Sequence, residues 1–304
     1  MKKFISKIFL FFAIMFIVDF ISGFIFEEIK IRAKGLSHDD YHVVEQPNED
    51  ILILGSSRAY RHYDPRVLED SIGLTTFNGG ISGCGIVLQY GRYIMSAEKY
   101  LPKIIIYDIF PMKDLVKNDN LQYISGLRHY RKSHISWQIC SEVESNEKLK
   151  MLSNLYCYNT DFIHLAKECV SPTESSFQGY APYKGKMNYH PKSSYKKKQI
   201  VIDSLKLGYL EQLIQSAQKN DIFLVFCSSP HYLWPDIDSF VTLDSLCNVY
   251  NVPFLNYYDS KEFAEHLDYW HDSTHLNEKG ADIYTKLIAS EIKKLYYSKK
   301  KTGC

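Results

Sequence analysis

The residues best suited to chemistry lie near the C-terminus, in Trp270-His271-Asp272-Ser273-Thr274-His275-Leu276-Asn277-Glu278-Lys279-Gly280-Ala281. Asp272 and His275 are three apart, so the carboxylate can bond one imidazole nitrogen across a single turn and leave the other free to act as a base. A base held this way needs a nucleophile. Far upstream, the apolar run Ile51-Leu52-Ile53-Leu54 breaks into Gly55-Ser56-Ser57-Arg58, a strand ending in a tight turn that would present a serine at a sheet edge. Ser57, His275 and Asp272 are therefore the candidate nucleophile, base and orienting acid of a serine hydrolase or acyltransferase. A lone serine usually caps or solvates, and a lone histidine before a helix more often does no chemistry. Position after a buried strand raises Ser57 above its neighbour Ser56, and the acid three residues earlier raises His275.

The elements that must position these groups form a regular rhythm. Short β-rich runs occur at Ile51–Leu54, Thr75–Asn78, Ile104–Ile109, Ile222–Cys227 and Pro253–Tyr257, with helical patterns between several of them. Asp64-Pro65 is a helix start, and Ile86–Tyr100 and Ile200–Lys219 read as helices. A last helix carries Ala281, Tyr284, Ile288, Ile292 and Leu295 at three- and four-residue spacing. Alternation of this kind predicts an α/β fold, a mainly parallel sheet covered on both faces with ligands at the carboxyl ends of its strands. Gly55–Ser57 and Gly79–Gly85, each following a strand, should share that edge. The stretch 112–199 breaks the rhythm. Rich in tyrosine (123, 130, 156, 158, 180, 183 and 189) and holding Trp137, it reads as a partly helical insertion packed over the active edge as a lid or substrate wall. Most of its aromatics should build a small core, with stacking on sugar rings the alternative.

The N-terminus differs in kind. After Met1-Lys2-Lys3 and Lys7, residues 8–26 are almost wholly apolar, enough to cross a bilayer, and no small-residue cleavage site follows. Residues 1–26 read as an uncleaved single-pass anchor in a cell inner or plasma membrane, and polar residues 27–48 as a linker. The domain then occupies 49–298, with 299–304 as a tail. Asp19 within the anchor costs roughly 2.5–3.5 kcal/mol on insertion scales, which marks either contact with a partner membrane protein or a snorkelling or helix-buried residue with no function. The flanking positive charges nearly balance, and the very short leading segment favours an extracytoplasmic domain.

The 304 residues are 45% apolar, enough for one large core, and the net charge of +1 with interspersed signs gives no electrostatic case for nucleic acid. Lys196–Lys198 and Lys299–Lys301 read as solvated surface. The seven cysteines (84, 140, 157, 169, 227, 247 and 304) show neither a Cys-x-x-Cys pair nor histidines at zinc-ligand spacing, so no metal site is expected; free thiols and one or two disulfides both remain open.

Three blocks in order resemble the SGNH hydrolase superfamily, also called GDSL-type lipases and esterases. Gly55-Ser56-Ser57 is similar to its Gly-Asp-Ser block, Asn78-Gly79-Gly80-Ile81-Ser82-Gly83 to its Asn-x-x-x-Ser-Gly block, and Asp272 to His275 to its Asp-x-x-His block, continued by Leu276 to Gly280. The resemblance spans about residues 50–296. It implies a flavodoxin-like three-layer fold, Ser57 as nucleophile, and an oxyanion hole from the Ser57 and Gly83 amides. The family's Gly-x-Asn-Asp block has no counterpart after Ile104-Ile105-Ile106, where Tyr107-Asp108-Ile109-Phe110-Pro111 stands. Losing one such donor costs roughly 10²- to 10³-fold in rate. Arg58 is a substitute donor, or else it pairs with a surface acid. A leading helix, Gly-Ser-Ser and a degenerate third block are similar to membrane-anchored members that modify bacterial surface polysaccharides. This implies an esterase or O-acyltransferase, with acetyl the expected group, acting on an acyl ester or carbohydrate. It also implies a multispanning acyltransferase partner and no cofactor. The alternative is a non-catalytic anchored scaffold or glycan-binding protein of a polysaccharide-assembly complex. A phosphodiesterase or other metallohydrolase is disfavoured, because paired Asp and His ligand clusters are lacking.

Overall fold

The computed structural model describes residues 1–174, 176–191, 201–232 and 238–302. Five strands, β1 (Ile51–Gly55), β2 (Thr76–Asn78), β3 (Ile104–Asp108), β4 (Phe223–Ser228) and β5 (Phe254–Asn256), form one sheet in the order β2-β1-β3-β4-β5, and every pairing is parallel. All five runs expected from sequence are present. Four of them are buried throughout, which explains why β1, β3 and β4 read as continuous apolar segments rather than as alternating ones. The strand order reverses beside β1, where β2 lies to one side and β3 to the other. A crevice opens at such a reversal, at the carboxyl ends of the strands.

Residues alternate between the two faces of the sheet. Ile51, Ile53, Ile104, Ile106, Phe223 and Val225 join one core cluster with Ala281, Tyr284, Ile288 and Ile292 of the C-terminal helix Glu278–Thr302. That helix also packs on Ser57–His62 and Pro65–Ile72. The intervening residues Leu52, Leu54, Ile105, Leu224 and Phe226 are buried too, on the face where Ile86–Ala97 meets β1 and Ser204–Lys219 meets β4. The N-terminus of Pro65–Ile72 is as the sequence suggests: Asp64 accepts the Arg66 amide at 3.0 Å and proline occupies the first turn.

The chain divides into two compact units, Met1–His42 with Asn120–Ser175, and Val43–Asp119 with Ser176–Cys304. The first is built on one helix, Lys2–Arg32, long and apolar enough to span a membrane. Its residues 1–18 are exposed all round, whereas Asp19, Ser22, Gly23, Phe26 and Lys30 form a covered stripe at three- and four-residue spacing. Helices Asn154–Tyr158 and Asp161–Val170 pack against it, with the Phe26 ring 5.0 Å from Tyr158 and 5.1 Å from Phe162. Asp19 is satisfied within its own chain. Its carboxylate accepts from Ser153 Oγ (2.6 Å) and from the amides of Asn154 and Leu155 (3.0 Å each).

Several boundaries differ from expectation. The N-terminal helix continues to Arg32, and Gly35–Glu45 is a second helix, so most of 27–48 is helical rather than an extended linker. The stretch 112–199 is divided: 120–175 packs with the N-terminal helix, covering the stripe that holds Asp19 and Phe26, and residues from 176 onward belong to the sheet unit. Four of its eight named aromatics, Tyr123, Tyr130, Tyr158 and Tyr180, are buried, and Tyr189 is exposed. The C-terminal helix runs to Thr302 through Lys299–Lys301, where a tail was expected. Ser175, Lys196–Lys198, Ile200 and Cys304 lie outside the described residues. The six described cysteines are free thiols.

Candidate active site

Gly55 ends β1 with φ 142°, and a Cβ there would stand 2.7 Å from the Asp108 carbonyl, so only glycine lets the chain turn this tightly against β3. Ser56 then caps a six-residue helix, Ser57–His62, accepting the Arg58 amide at 3.4 Å. The expected tight turn is thus the first turn of a helix, and Ser57 occupies its first position. The loop after β2 lies close against this helix. A Cβ on Gly80 would approach the Tyr60 amide to 2.5 Å, and Asn78 Nδ2 donates to the carbonyls of Ala59 and Tyr63 at 2.8 Å each.

On the other side, the loop carrying the base is pinned at both ends. Trp270 and Leu276 form an antiparallel bridge, and the His271 amide donates to the His275 carbonyl at 2.9 Å. Asn277 Oδ1 accepts the Gly280 amide at 3.0 Å, capping the C-terminal helix, and a Cβ on Gly280 would meet the Tyr269 carbonyl at 2.3 Å. The Asn-x-x-Gly continuation therefore has a local geometric cause.

These elements bring the three expected side chains together. Ser57 Oγ lies 2.9 Å from His275 Nε2, and His275 Nδ1 lies 3.0 and 3.1 Å from the two Asp272 oxygens. Asp272 also accepts the amides of Thr274 (2.7 Å) and His275 (2.9 Å). A carboxylate facing Nδ1 fixes the proton on that nitrogen, leaving the Nε2 lone pair for the serine hydroxyl. Partial burial would raise the Asp272 carboxyl, but its hydrogen bonds to the His275 ring and the Thr274 amide prevail and lower it to about 2. It therefore stays ionised at all ordinary pH values.

Beneath the triad lies a buried polar network that sequence reasoning missed. His62, five residues after Ser57 on the same helix, accepts the Leu276 amide on Nε2 at 3.0 Å. Its Nδ1 therefore carries the proton and donates to Ser229 Oγ at 2.9 Å. Burial, then the nearby Arg58 and His275, push the His62 pKa well below its usual value, so the ring is neutral. The Ser229 amide donates to Asp108 Oδ1 at 2.8 Å, as does Tyr63 OH at 2.7 Å. Burial raises the Asp108 carboxyl, opposed by Arg58 and these hydrogen bonds.

Arg58 belongs to this network and is fully buried. Nε donates to Ser229 Oγ at 3.0 Å, Nη2 donates to the Ser229 carbonyl, and Nε stands 3.8 Å from Asp108. This corrects both sequence expectations for Arg58: it is turned into the core rather than toward a reacting oxygen, and its acid is internal. The physical reason is the short helix, which points Arg58 inward one residue after Ser57. Gly83 lies on the exposed turn after β2 with φ 78°, and open space surrounds its Cβ position. At the mouth of the site, Tyr183 stands edge-on to His275 (ring centroids 5.3 Å) and stacks on His271 (4.2 Å), with the Arg61 guanidinium 4.0 Å from its centroid. No local pattern in the sequence marks His62, Ser229 or Tyr183. Among the described residues no group of His, Cys, Asp and Glu is placed to hold a metal.

No family model matches this chain, and no curated protein matches it.

Proposed function

We propose that the protein is a serine esterase or O-acyltransferase of SGNH type that works through an acyl-serine intermediate. The observation that carries this reading is the unbroken path from Ser57 Oγ through the His275 ring to Asp272. His275 Nε2 takes the hydroxyl proton as Ser57 Oγ attacks the acyl carbonyl carbon. The resulting imidazolium then protonates the departing alkoxide, leaving the acyl group on Ser57. In the second half, a hydroxyl acceptor or water gives its proton to Nε2 and attacks the acyl carbon, and the imidazolium returns that proton to Ser57 Oγ as the C–O bond to Ser57 breaks. Asp272 orients the ring and remains ionised throughout. The Ser57 amide, in the first turn of its helix where N–H groups lack an intrahelical acceptor, is the first oxyanion donor, and the Gly83 amide is assigned as the second.

The strand order 2-1-3-4-5 is that of flavodoxin-like sheets, with the nucleophile after β1 at the reversal of order and the Asp-His loop before the last helix. Together with the three sequence blocks, this supports the SGNH assignment. The N-terminal helix and the similarity in plan to polysaccharide-modifying proteins support a single-pass membrane enzyme with an extracytoplasmic domain. A cell-surface carbohydrate hydroxyl would be the acyl acceptor and a multispanning acyltransferase the partner.

A fluorophosphonate probe tests the chemistry on the full chain in detergent. The expected result is a covalent adduct at Ser57 that is lost in Ser57→Ala and slowed in His275→Ala. Folded protein that takes up no probe would overturn the enzyme reading and favour an anchored scaffold.

A further inference from the structure

The hydrogen bonds of Asp19 fix where the first unit sits along its own helix, and the position is unexpected. A bilayer's hydrocarbon core is roughly 30 Å thick and takes about 20 helical residues. The part of Lys2–Arg32 that is exposed all round and apolar, from Ile8 to Val18, supplies about 11 residues, or roughly 16 Å. The apolar run ends only at Phe26, before Glu27 and Glu28. Asp19 thus lies about 12 Å along the axis from the polar flank, inside the length needed to cross. Ser153, Asn154 and Leu155, bonded to its carboxylate, must lie at the same depth.

Two further observations suit that depth. Large apolar side chains are exposed around this contact, with Lys148, Lys150 and His164 interspersed among them: Leu149 is 73% exposed, Leu152 62% and Ile163 60%, alongside Phe24 at 64% on the helix itself. The backbone is also closed. From Leu149 to Cys157 every amide has an acceptor inside the unit: the carbonyls of Asn146, Glu147, Leu149, Lys150 and Ser153, the Asp19 carboxylate, or Ser153 Oγ. Met151–Ser153 lie between the short helices Glu147–Lys150 and Asn154–Tyr158, and the first-turn amides of Asn154 and Leu155 lack intrahelical acceptors; in an exposed segment water could meet all five. In hydrocarbon each unmet group costs several kcal/mol, and irregular backbone survives only when it is satisfied internally.

We propose that Leu149–Leu155, together with Ile163, form a collar that enters the bilayer beside the N-terminal helix, in the leaflet remote from Lys2 and Lys3. The occupant of this apolar surface is lipid acyl chain, with Lys148 reaching up to the phosphates and Lys150 paired to Glu147 at 3.1 Å. The inference rests on the reading of Lys2–Arg32 as a membrane span. Asp19 is thereby an internal cap for a membrane-immersed turn.

Depth-dependent quenching in proteoliposomes tests it. Single cysteines, Leu152→Cys and Ile163→Cys, are labelled with an environment-sensitive fluorophore in a background of Cys84→Ser, Cys169→Ser and Cys304→Ser. Phe12→Cys and Lys167→Cys, labelled in the same background, mark the span and the aqueous side. Labels at 152 and 163 should lose most of their emission to acyl-chain spin-labelled lipid and little to aqueous iodide, as the label at 12 does. If 152 and 163 follow iodide while 12 follows lipid, the span stands and the collar is refuted. If 12 also follows iodide, the membrane reading itself fails and the collar with it.

Discussion

At the scale of single residues, the triad depends on a side chain that takes no part in proton transfer. His62 ties the backbone of Leu276, next to the base, to the helix that carries the nucleophile. Replacing it with phenylalanine leaves the buried Leu276 amide without its acceptor, a penalty of about 1–3 kcal/mol. Slight displacement of a reacting group costs on the order of 10²-fold. The rate of Ser57 labelling by a fluorophosphonate should therefore drop about 10- to 100-fold in His62→Phe, with the protein still folded. His62→Gln, whose side-chain oxygen can reach the Nε2 position, should recover much of the rate. Equal rates in the two variants would remove His62 from the positioning role. The triad was legible in sequence because Asp272 and His275 are three apart and Ser57 ends a strand, both local signals. The supporting network was not, since His62 and Arg58 meet Ser229 across 167 and 171 positions. Arg58 was misjudged for the same reason: nothing beside it in the chain announces a buried acid at 108.

Among the elements, the strands were legible because burial on both faces demands continuous β-branched runs, as in Ile104-Ile105-Ile106. The helix beginning at Ile86 shows what was not. The residue before it, Gly85, has no side chain to cap it, and the Ile86 amide is instead taken by Asp114 at 2.8 Å from another segment. Asp114 also accepts from the Phe110 amide and Tyr107 OH at 2.7 Å each, yet burial pushes its carboxyl up to about 6. A carboxyl that holds its proton more tightly in the native state than in the unfolded one binds more protons when folded between about pH 4 and 6. Stability contributed through Asp114 therefore falls as pH rises through that window and is level above it. The loss is on the order of 2–3 kcal/mol. Denaturation midpoints at pH 4.5 and 7.5 should differ less in Asp114→Asn than in the parent; an unchanged difference would assign the pH dependence elsewhere.

For the whole molecule, the division into units matters most for how the protein is handled. A chain begun at Ala33 keeps the sheet unit but removes Asp19 and Phe26, the partners of residues 153–155, Tyr158 and Phe162. Limited proteolysis should then cut readily between 120 and 175, whereas the full chain resists and Ser57 reacts in both. Resistance in the shortened chain would mean that this segment folds without the helix. The triad's long sequence span has a different consequence, in time. Ser57 and His275 are 218 positions apart. At roughly 5–20 residues per second, synthesis of that interval takes about 10–40 s. During that time Ser57 is already translated while its partner His275 is not. On the proposed mechanism, Ser57 has no base until His275 has emerged. If the chain is the proposed esterase or acyltransferase, a product that stops before residue 275 carries Ser57 without its base and should take up no fluorophosphonate.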